Sequence, residues 1–342
     1  MPFVWNVSPV ALLLASFVVP FAVSLAMTAA LVRLAPCLGL LDQPSDRKIH
    51  TRTTPKGGGL AILTAVFATS FLMVSRASDP GYFTAVFAGS FVALLGLIDD
   101  LRPLPWQIRL TAQFAAAGAT VYLAADSFPL PSVLSIFWIV ALTNAFNMLD
   151  NMDALSGGVA LIAAVLMAIT LPARESLGSD WAGVAHNLVL AGAIGGFLVF
   201  NMPPARIFMG DVGSTFLGFT LGCLSISRDF VVSGEPKTLL VPLCIMGAPC
   251  YDLVMVVSLR LRQGRSPFHA DKQHLSHRLL LLGLSPPAAV FTIHLLALIS
   301  GIAGILIYPL PSKWVFLVAA QVLALWVAVA RIEYFRHWGE QK

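Results

Sequence analysis

Charge is what this sequence has least of. Of its 342 residues only 11% are Asp, Glu, Lys or Arg, where a soluble domain carries about 25%. A chain so poor in charge cannot cover a water-exposed surface. With 58% hydrophobic residues it reads as a polytopic membrane protein. Cysteine is scarce too: Cys37, Cys223, Cys244 and Cys250 lie in or beside apolar runs, with the spacing of neither a zinc site nor a disulfide framework. Internal repeats, low-complexity tracts and soluble-domain boundaries are also lacking, so 1–342 is taken as one membrane domain. The first apolar run has no basic n-region and no obvious cleavage site, and is expected to be a retained helix rather than a signal peptide.

What the chain does have is apolar runs. Eleven are long enough to span, at 9–34, 57–75, 82–98, 108–125, 131–149, 156–171, 184–201, 212–227, 238–259, 287–308 and 314–331, although several fall short of an ideal span. The expected fold is therefore an all-α bundle of about eleven transmembrane helices. Of the 21 Lys and Arg residues, sixteen fall on one side if the first loop is inside. The positive-inside rule then places the N-terminus outside and the C-terminus in the cytoplasm. The net charge of +4 mostly reflects this asymmetry and says little about nucleic acid.

Five polar stretches interrupt the runs, all on the expected cytoplasmic side. The segment Phe208-Met-Gly210-Asp211-Val-Gly213-Ser214 sits between two apolar runs. A carboxylate beside a hydrocarbon core costs about 2.5–3.5 kcal/mol at mid-bilayer. Asp211 suits either a helix cap or a metal–diphosphate site in which helix-start N–H groups face phosphate. The loop from Leu41 to Gly59 holds Arg47, Lys48, His50, Arg52 and Lys56 among prolines and a triple glycine. It suits a topogenic anchor at anionic lipid or a seat for a lipid phosphate.

Asp99 and Asp100 close the third run, and adjacent carboxylates at a membrane edge call for a shared cation or proton. Arg109 opens the next helix against the dipole, a conflict that a nearby anion removes. Asn144, Asn147, Asp150 and Asp153 recur every three residues. Over nine residues such a stripe drifts by about 180°, so either the helix stops near Asp150 or the outer members face different partners. The loop from Arg260 to Arg278 is rich in both Arg and His, with His274 and His277 at helical spacing. It suits phosphate or sugar oxygens better than a metal, with a solvated basic loop as the plain reading. Asp252 lies apart, inside an apolar run.

These stretches, in this order, resemble the polyprenyl-phosphate N-acetylhexosamine-1-phosphate transferases. The match runs from Asp42 to about Gly283 and rests on Asp42-x-Pro44, Arg47-Lys48-x-His50, the Asp99–Asp100 pair, the Asn144-to-Asp153 stripe, Phe208-Met-Gly-Asp211-x-Gly-Ser214 and the His274–His277 loop. The resemblance implies an enzyme that moves N-acetylhexosamine-1-phosphate from a UDP-sugar to undecaprenyl phosphate with release of UMP. The expected span number points to the branch using UDP-N-acetylglucosamine, with UDP-MurNAc-pentapeptide or another UDP-N-acetylhexosamine as the alternative. It further implies that Asp211 and Asn147 hold Mg²⁺ (Mn²⁺ as substitute) and that Phe208, Asp153 and Asn144 line the nucleotide pocket. Asp99, Asp100 and Asp150 would be the catalytic carboxylates, with Lys48, Arg109, Arg265, His274 and His277 on phosphate and sugar. The implied setting is the bacterial plasma membrane, with the active site on the cytoplasmic face, a lipid-linked surface glycan as the product's use, and a homodimer as candidate assembly.

Two departures stand out. The family's Asp-Gly-x-Asp-Gly is here Asp150-Asn151-Met152-Asp153-Ala154, and its His-x-His-His is His274-Leu275-Ser276-His277. From a different class, a cation- or proton-coupled transporter would want ionisable groups at mid-span and two matching halves. Asp252 is the main residue that suits it.

Overall fold

The computed structural model describes residues 8–43, 53–73, 80–171, 181–232, 235–267, 271 and 273–339. Among the described residues the protein is all-α apart from one two-residue ladder, and helices occupy each of the apolar runs. They are α1 (Pro9–Leu34), α2 (Gly59–Met73), α3 (Pro80–Leu101), α4 (Trp106–Leu123), α5 (Ser132–Leu149), α6 (Leu155–Thr170), α7 (Ala182–Asn201) and α8 (Gly210–Ser225). After them come α9 (Leu240–Ile245), α10 (Gly247–Arg262), the short α11 (Leu275–Leu281), α12 (Pro286–Ile307) and α13 (Ser312–Gly339).

Among the described residues six helices are long and apolar enough to cross a membrane, or seven if the pair meeting at 79° near Met246 counts as one broken span. The protein is thus a multi-pass, all-α membrane protein. The expected eleven spans include segments that do not reach that length and composition on their own. The reason is visible in α8. Its 16 residues extend only about 24 Å, less than the roughly 30 Å of a hydrocarbon core. Yet every residue from Val212 to Ser225 is buried by neighbouring helices, so α8 meets protein rather than lipid along its length.

Small residues make that central position attainable, because they let backbones approach. A Cβ on Gly218 would lie 2.6 Å from the Leu142 carbonyl oxygen of α5, and one on Gly96 of α3 would lie 2.6 Å from that of Asp211. At its start α8 crosses α2 at a glycine pair, where a Cβ on Gly59 would come within 2.2 Å of Gly213. α1 packs on α7 in the same way, Gly192 facing the Phe17 carbonyl. The outward sides of α3, α12 and α13 keep large apolar groups such as Phe91, Phe291 and Phe316 exposed, as a lipid-facing surface does.

The loop before α2, with its prolines and triple glycine, contains a small ladder. Leu41–Asp42 (β1) pairs antiparallel with Thr54–Pro55 (β2). The chain then continues into a backbone docking on the segment before α8. Phe208 N–H donates to the Pro55 carbonyl at 2.8 Å, and Gly58 and Gly59 N–H donate to Phe208 and Met209 carbonyls at 2.9 Å. Residues far apart in sequence are thereby joined at one end of the bundle.

Candidate active site

That end gathers the C-termini of α3, α5, α7 and α10 and the N-termini of α2, α4, α6, α8 and α12. Asp211 lies in the first turn of α8 but does not cap it. One of its carboxylate oxygens accepts from Asn147 Nδ2 at 2.9 Å, and the other lies 3.3 Å from Arg109 Nη1. The N–H facing the start of α8 is occupied by a different carboxylate: Val212 N–H donates to Asp100 Oδ2 at 3.2 Å. A helix start attracts anions, and here the tertiary fold brings Asp100 to it. Gly210 makes this approach feasible, since a Cβ there would meet Asp100 Oδ2 at 2.6 Å and its φ is +75°.

The Asp99–Asp100 pair is divided between two cations. Asp99 is bound by Arg109 at 2.6 Å and by the Leu104 N–H at 2.5 Å. Asp100 forms an ion pair with Lys56 at 3.4 Å, and the same ammonium also donates to the Asp100 carbonyl. Arg109 therefore bridges Asp99 and Asp211, which resolves its position against the helix dipole. Lys56 was legible only as part of a basic loop, and Lys48, expected on phosphate, lies outside the described residues.

The polar stripe ends as one of its two expectations had it: α5 stops at Leu149, and Asp150 is the C-cap. The outer members also face different partners. Asn144 donates to Gln113 Oε1 at 2.6 Å and to the Val140 carbonyl at 2.8 Å, so its amide nitrogen holds α4 to α5. Asn147 also reaches Ser214 Oγ at 3.1 Å. Asp153 accepts the Ala205 N–H at 2.9 Å, which ties the turn after α5 to the loop carrying Phe208. Burial first, and then the carboxylates of Asp211, Asp100 and Asp153, push Asp150 well above the usual carboxylate range, against a lowering hydrogen bond from the Gly210 backbone.

Ala154 takes the place of the family's second glycine and adopts φ +60°, the left-handed conformation that glycine would favour. It is held there by its N–H bond to Asn201 Oδ1 at 2.9 Å, while Asn201 Nδ2 donates to the Ile207 carbonyl at 2.8 Å. Asn201 thus fixes both the Asp150–Asp153 turn and the approach to Phe208. An Asn closing an apolar run was its sequence signal.

Asp252 is not stranded in apolar surroundings. Its carboxylate accepts the Leu275 N–H at 2.5 Å, lies 2.9 Å from His274 Nδ1, and has Arg278 at 3.7 Å. Arg278 pairs with Glu333 at 3.1 Å, and Glu333 accepts from the Tyr251 hydroxyl at 2.8 Å. A buried charged network therefore seats α11, with its His274 and His277, against α10 and α13. Nothing in the local sequence marks Glu333 as part of it. Arg260 and Asp271 close the preceding loop through two bonds of 3.0 and 3.1 Å. Burial raises Asp271, but the Arg260 contact and the Gln273 N–H outweigh it and hold this carboxyl below its usual range. Arg265 is exposed on the same loop, and its backbone N–H donates to the Arg260 carbonyl at 2.9 Å. His277 sits 6.0 Å from His274, ring centre to ring centre.

Around Asp211 the site brings together Asp99, Asp100 and Asp150 against Lys56 and Arg109. Hard oxygens in excess of cations suit a divalent ion such as Mg²⁺, which is commonly held by one or two carboxylates together with substrate phosphates. Among the described residues no three His, Cys, Asp or Glu side chains form a metal cage by themselves.

Comparison with known proteins adds the family. The glycosyl transferase family 4 model matches residues 82–228, from α3 through α8. A Bacillus subtilis protein named probable undecaprenyl-phosphate N-acetylglucosaminyl 1-phosphate transferase is 31% identical over 85% of this chain and 84% of its own length. The Mycolicibacterium smegmatis decaprenyl-phosphate N-acetylglucosaminephosphotransferase is 33% identical over 77% of this chain and 74% of its own. An Escherichia coli K12 undecaprenyl-phosphate alpha-N-acetylglucosaminyl 1-phosphate transferase is 29% identical over 80% and 78%. With the matched segment carrying Asp99, Asp100, Asn147, Asp150 and Asp211, the chain belongs to the polyprenyl-phosphate N-acetylhexosamine-1-phosphate transferases, a family of membrane phosphotransferases.

Proposed function

We propose that this phosphotransferase moves N-acetylglucosamine-1-phosphate from UDP-N-acetylglucosamine to undecaprenyl phosphate, releasing UMP and starting a lipid-linked surface glycan. The observation that carries this reading is the junction at Asp211, where four carboxylates and two cations from α3, α4, α5, α8 and the segment before α2 converge. Phosphoryl transfer asks mainly for positioning and charge neutralisation. Lys56 and Arg109 lie at the edge of this junction, where they can draw a lipid phosphate toward the donor. The Asp99–Asp100 pair is assigned to the proton or charge of that incoming phosphate. Phe208 and Asp153, on segments tied together by the Ala205 N–H bond, are assigned to the nucleotide. His274, His277 and Arg265 are assigned to the sugar and diphosphate.

Asp211 and Asn147 are the residues that would hold Mg²⁺, which supplies neutralisation of the diphosphate and of the departing UMP. Attack of the lipid phosphate on the β-phosphorus forms the new P–O bond as the bond to UMP breaks, leaving a polyprenyl-diphospho-sugar. The transporter reading loses its main residue, because Asp252 is engaged by His274 and the Leu275 N–H. Eleven spans, an outside N-terminus, a cytoplasmic C-terminus and a plasma-membrane location complete the proposal, supported by the basic asymmetry.

The test is UMP release by purified protein given undecaprenyl phosphate, Mg²⁺ and a panel of UDP-sugars. The expected result is preference for UDP-N-acetylglucosamine. Preference for UDP-MurNAc-pentapeptide moves the assignment within the family, and release from no donor overturns it. For orientation, a cysteine at Ser266 should resist an impermeant thiol reagent in intact cells and react in inverted vesicles.

A further inference from the structure

The turn that carries Asp150 and Asp153 is tied to the helix that carries His277 by a part-buried hydrogen bond. Ser276, with no exposed surface, donates from Oγ to Asn151 Oδ1 at 2.6 Å. Asn151 is itself fixed, because its Nδ2 donates to the Met148 carbonyl at the end of α5 at 2.8 Å. With both ends of the amide used, its oxygen is committed to Ser276. Ser276 Oγ also lies 3.5 Å from His277 Nδ1. Polar atoms therefore run from the end of α5, through Asn151 and Ser276, to the ring of His277.

Asn151 and Ser276 are also two of the positions at which the chain departs from the family's two patterns. The departures are complementary in chemistry. Glycine at 151 has no side-chain acceptor for a hydroxyl. An imidazole at 276 would have to fit where a fully buried serine now sits, against a turn that has gained an amide. A change at either position alone leaves a polar group unmatched or a ring crowded, whereas both together remove the amide that would crowd the ring.

We propose that Asn151 and Ser276 are a positioning pair that sets the sugar-reading helix α11 against the nucleotide-side turn, and so tunes which donor sugar is accepted. The proposal rests on the donor-site reading above. Neither residue touches the reacting atoms. Their bond determines where His277 stands relative to Asp150 and Asp153, and a small displacement of a positioned group is enough to lower turnover.

A double-mutant cycle tests it. Ser276→Ala, Asn151→Gly and the double variant are assayed for kcat/KM with UDP-N-acetylglucosamine, for KM of undecaprenyl phosphate, and for thermal melting in detergent. Each single change should lower donor kcat/KM by about tenfold, and the double variant should be no worse than the poorer single one. The KM for lipid should stay within about twofold, since the pair lies on the donor side. In a second cycle Ser276→His alone should be poorly active, and adding Asn151→Gly should restore activity with a changed order of preference across the UDP-sugar panel. Single effects that multiply, coupling seen only in the melting temperature, or equal effects on the lipid KM would each overturn the pair. A wild-type protein inactive with every UDP-sugar overturns the donor reading itself and the inference with it. Activity with multiplying effects removes the inference alone.

Discussion

At the end of the bundle where α3, α5 and α7 finish, elements are joined through charge: Lys56 to Asp100, Arg109 to Asp99 and Asp211, and Arg278 to Asp252 and Glu333. At the opposite end the ties include side chains donating to neutral backbone. Lys237 Nζ reaches the Tyr308 and Leu310 carbonyls, each at 3.3 Å, and the Tyr308 hydroxyl donates to the Phe230 carbonyl, while a backbone bond runs from the Arg228 N–H to the Ser127 carbonyl at 2.8 Å. Both ends bridge helices that are distant in sequence, so bridging alone does not mark function. The difference lies in what remains after the bridges are made. A carbonyl that has accepted a hydrogen bond makes no further demand, whereas carboxylates outnumbering their cations still require positive charge.

The contrast predicts unequal outcomes for substitutions of similar size. Asp211→Asn should lose nearly all UMP release while keeping its melting temperature, because a neutral amide still accepts a hydrogen bond but is a poor ligand for a hard cation. Partial return with Mn²⁺ would sharpen the point. Normal Mg²⁺-dependent turnover would put Asp211 on the same footing as the carbonyls at the other end. Next come Asp99→Asn and Asp100→Asn, each expected to cost about 10²–10⁴-fold in turnover. Near wild-type rates from both would remove the pair from the chemistry.

For the sugar loop, Arg265→Ala and His277→Ala should each lower donor kcat/KM by about ten- to a hundredfold. A rise confined to the KM of undecaprenyl phosphate would instead assign the loop to the lipid. At the opposite end Lys237→Ala should cost about 0.5–1.5 kcal/mol of stability and leave turnover unchanged, and a large fall in kcat would erase the comparison. The smallest effect is expected at Ala154→Gly. Relief of the left-handed strain exceeds the added freedom of the unfolded chain, for a gain of about 0.5–1 kcal/mol read as a higher melting temperature. A lower melting temperature would show that the Asn201 bond, rather than φ, governs that turn.

Much of the site was legible because a membrane protein places charge sparingly. Asp99, Asp100, Asp150, Asp153 and Asp211 each stand at the edge of an apolar run, where packing gives no reason for a carboxylate. Lys56 was hidden among other basic residues, and Gln113 and Glu333 were hidden because single polar groups in apolar helices are common. Their importance depends on which neighbour they meet. Asp252 looked like a mid-span charge because the sequence does not reveal that the chain bends by 79° just before α10 and that α11 folds back over it.

Composition and hydropathy by themselves determined the class of the molecule, the places where helices run, and which carboxylates needed explaining, because lipid tolerates little else. Only the tertiary structure decided the partners. It assigned the α8 start to Asp100 rather than Asp211, placed Arg109 between two carboxylates, and joined Asn151 to Ser276 across 125 residues. Pairing of this kind depends on which small residues let which helices touch. Periodicity along one helix shows that a face is small and apolar, but not which partner will be pressed against it.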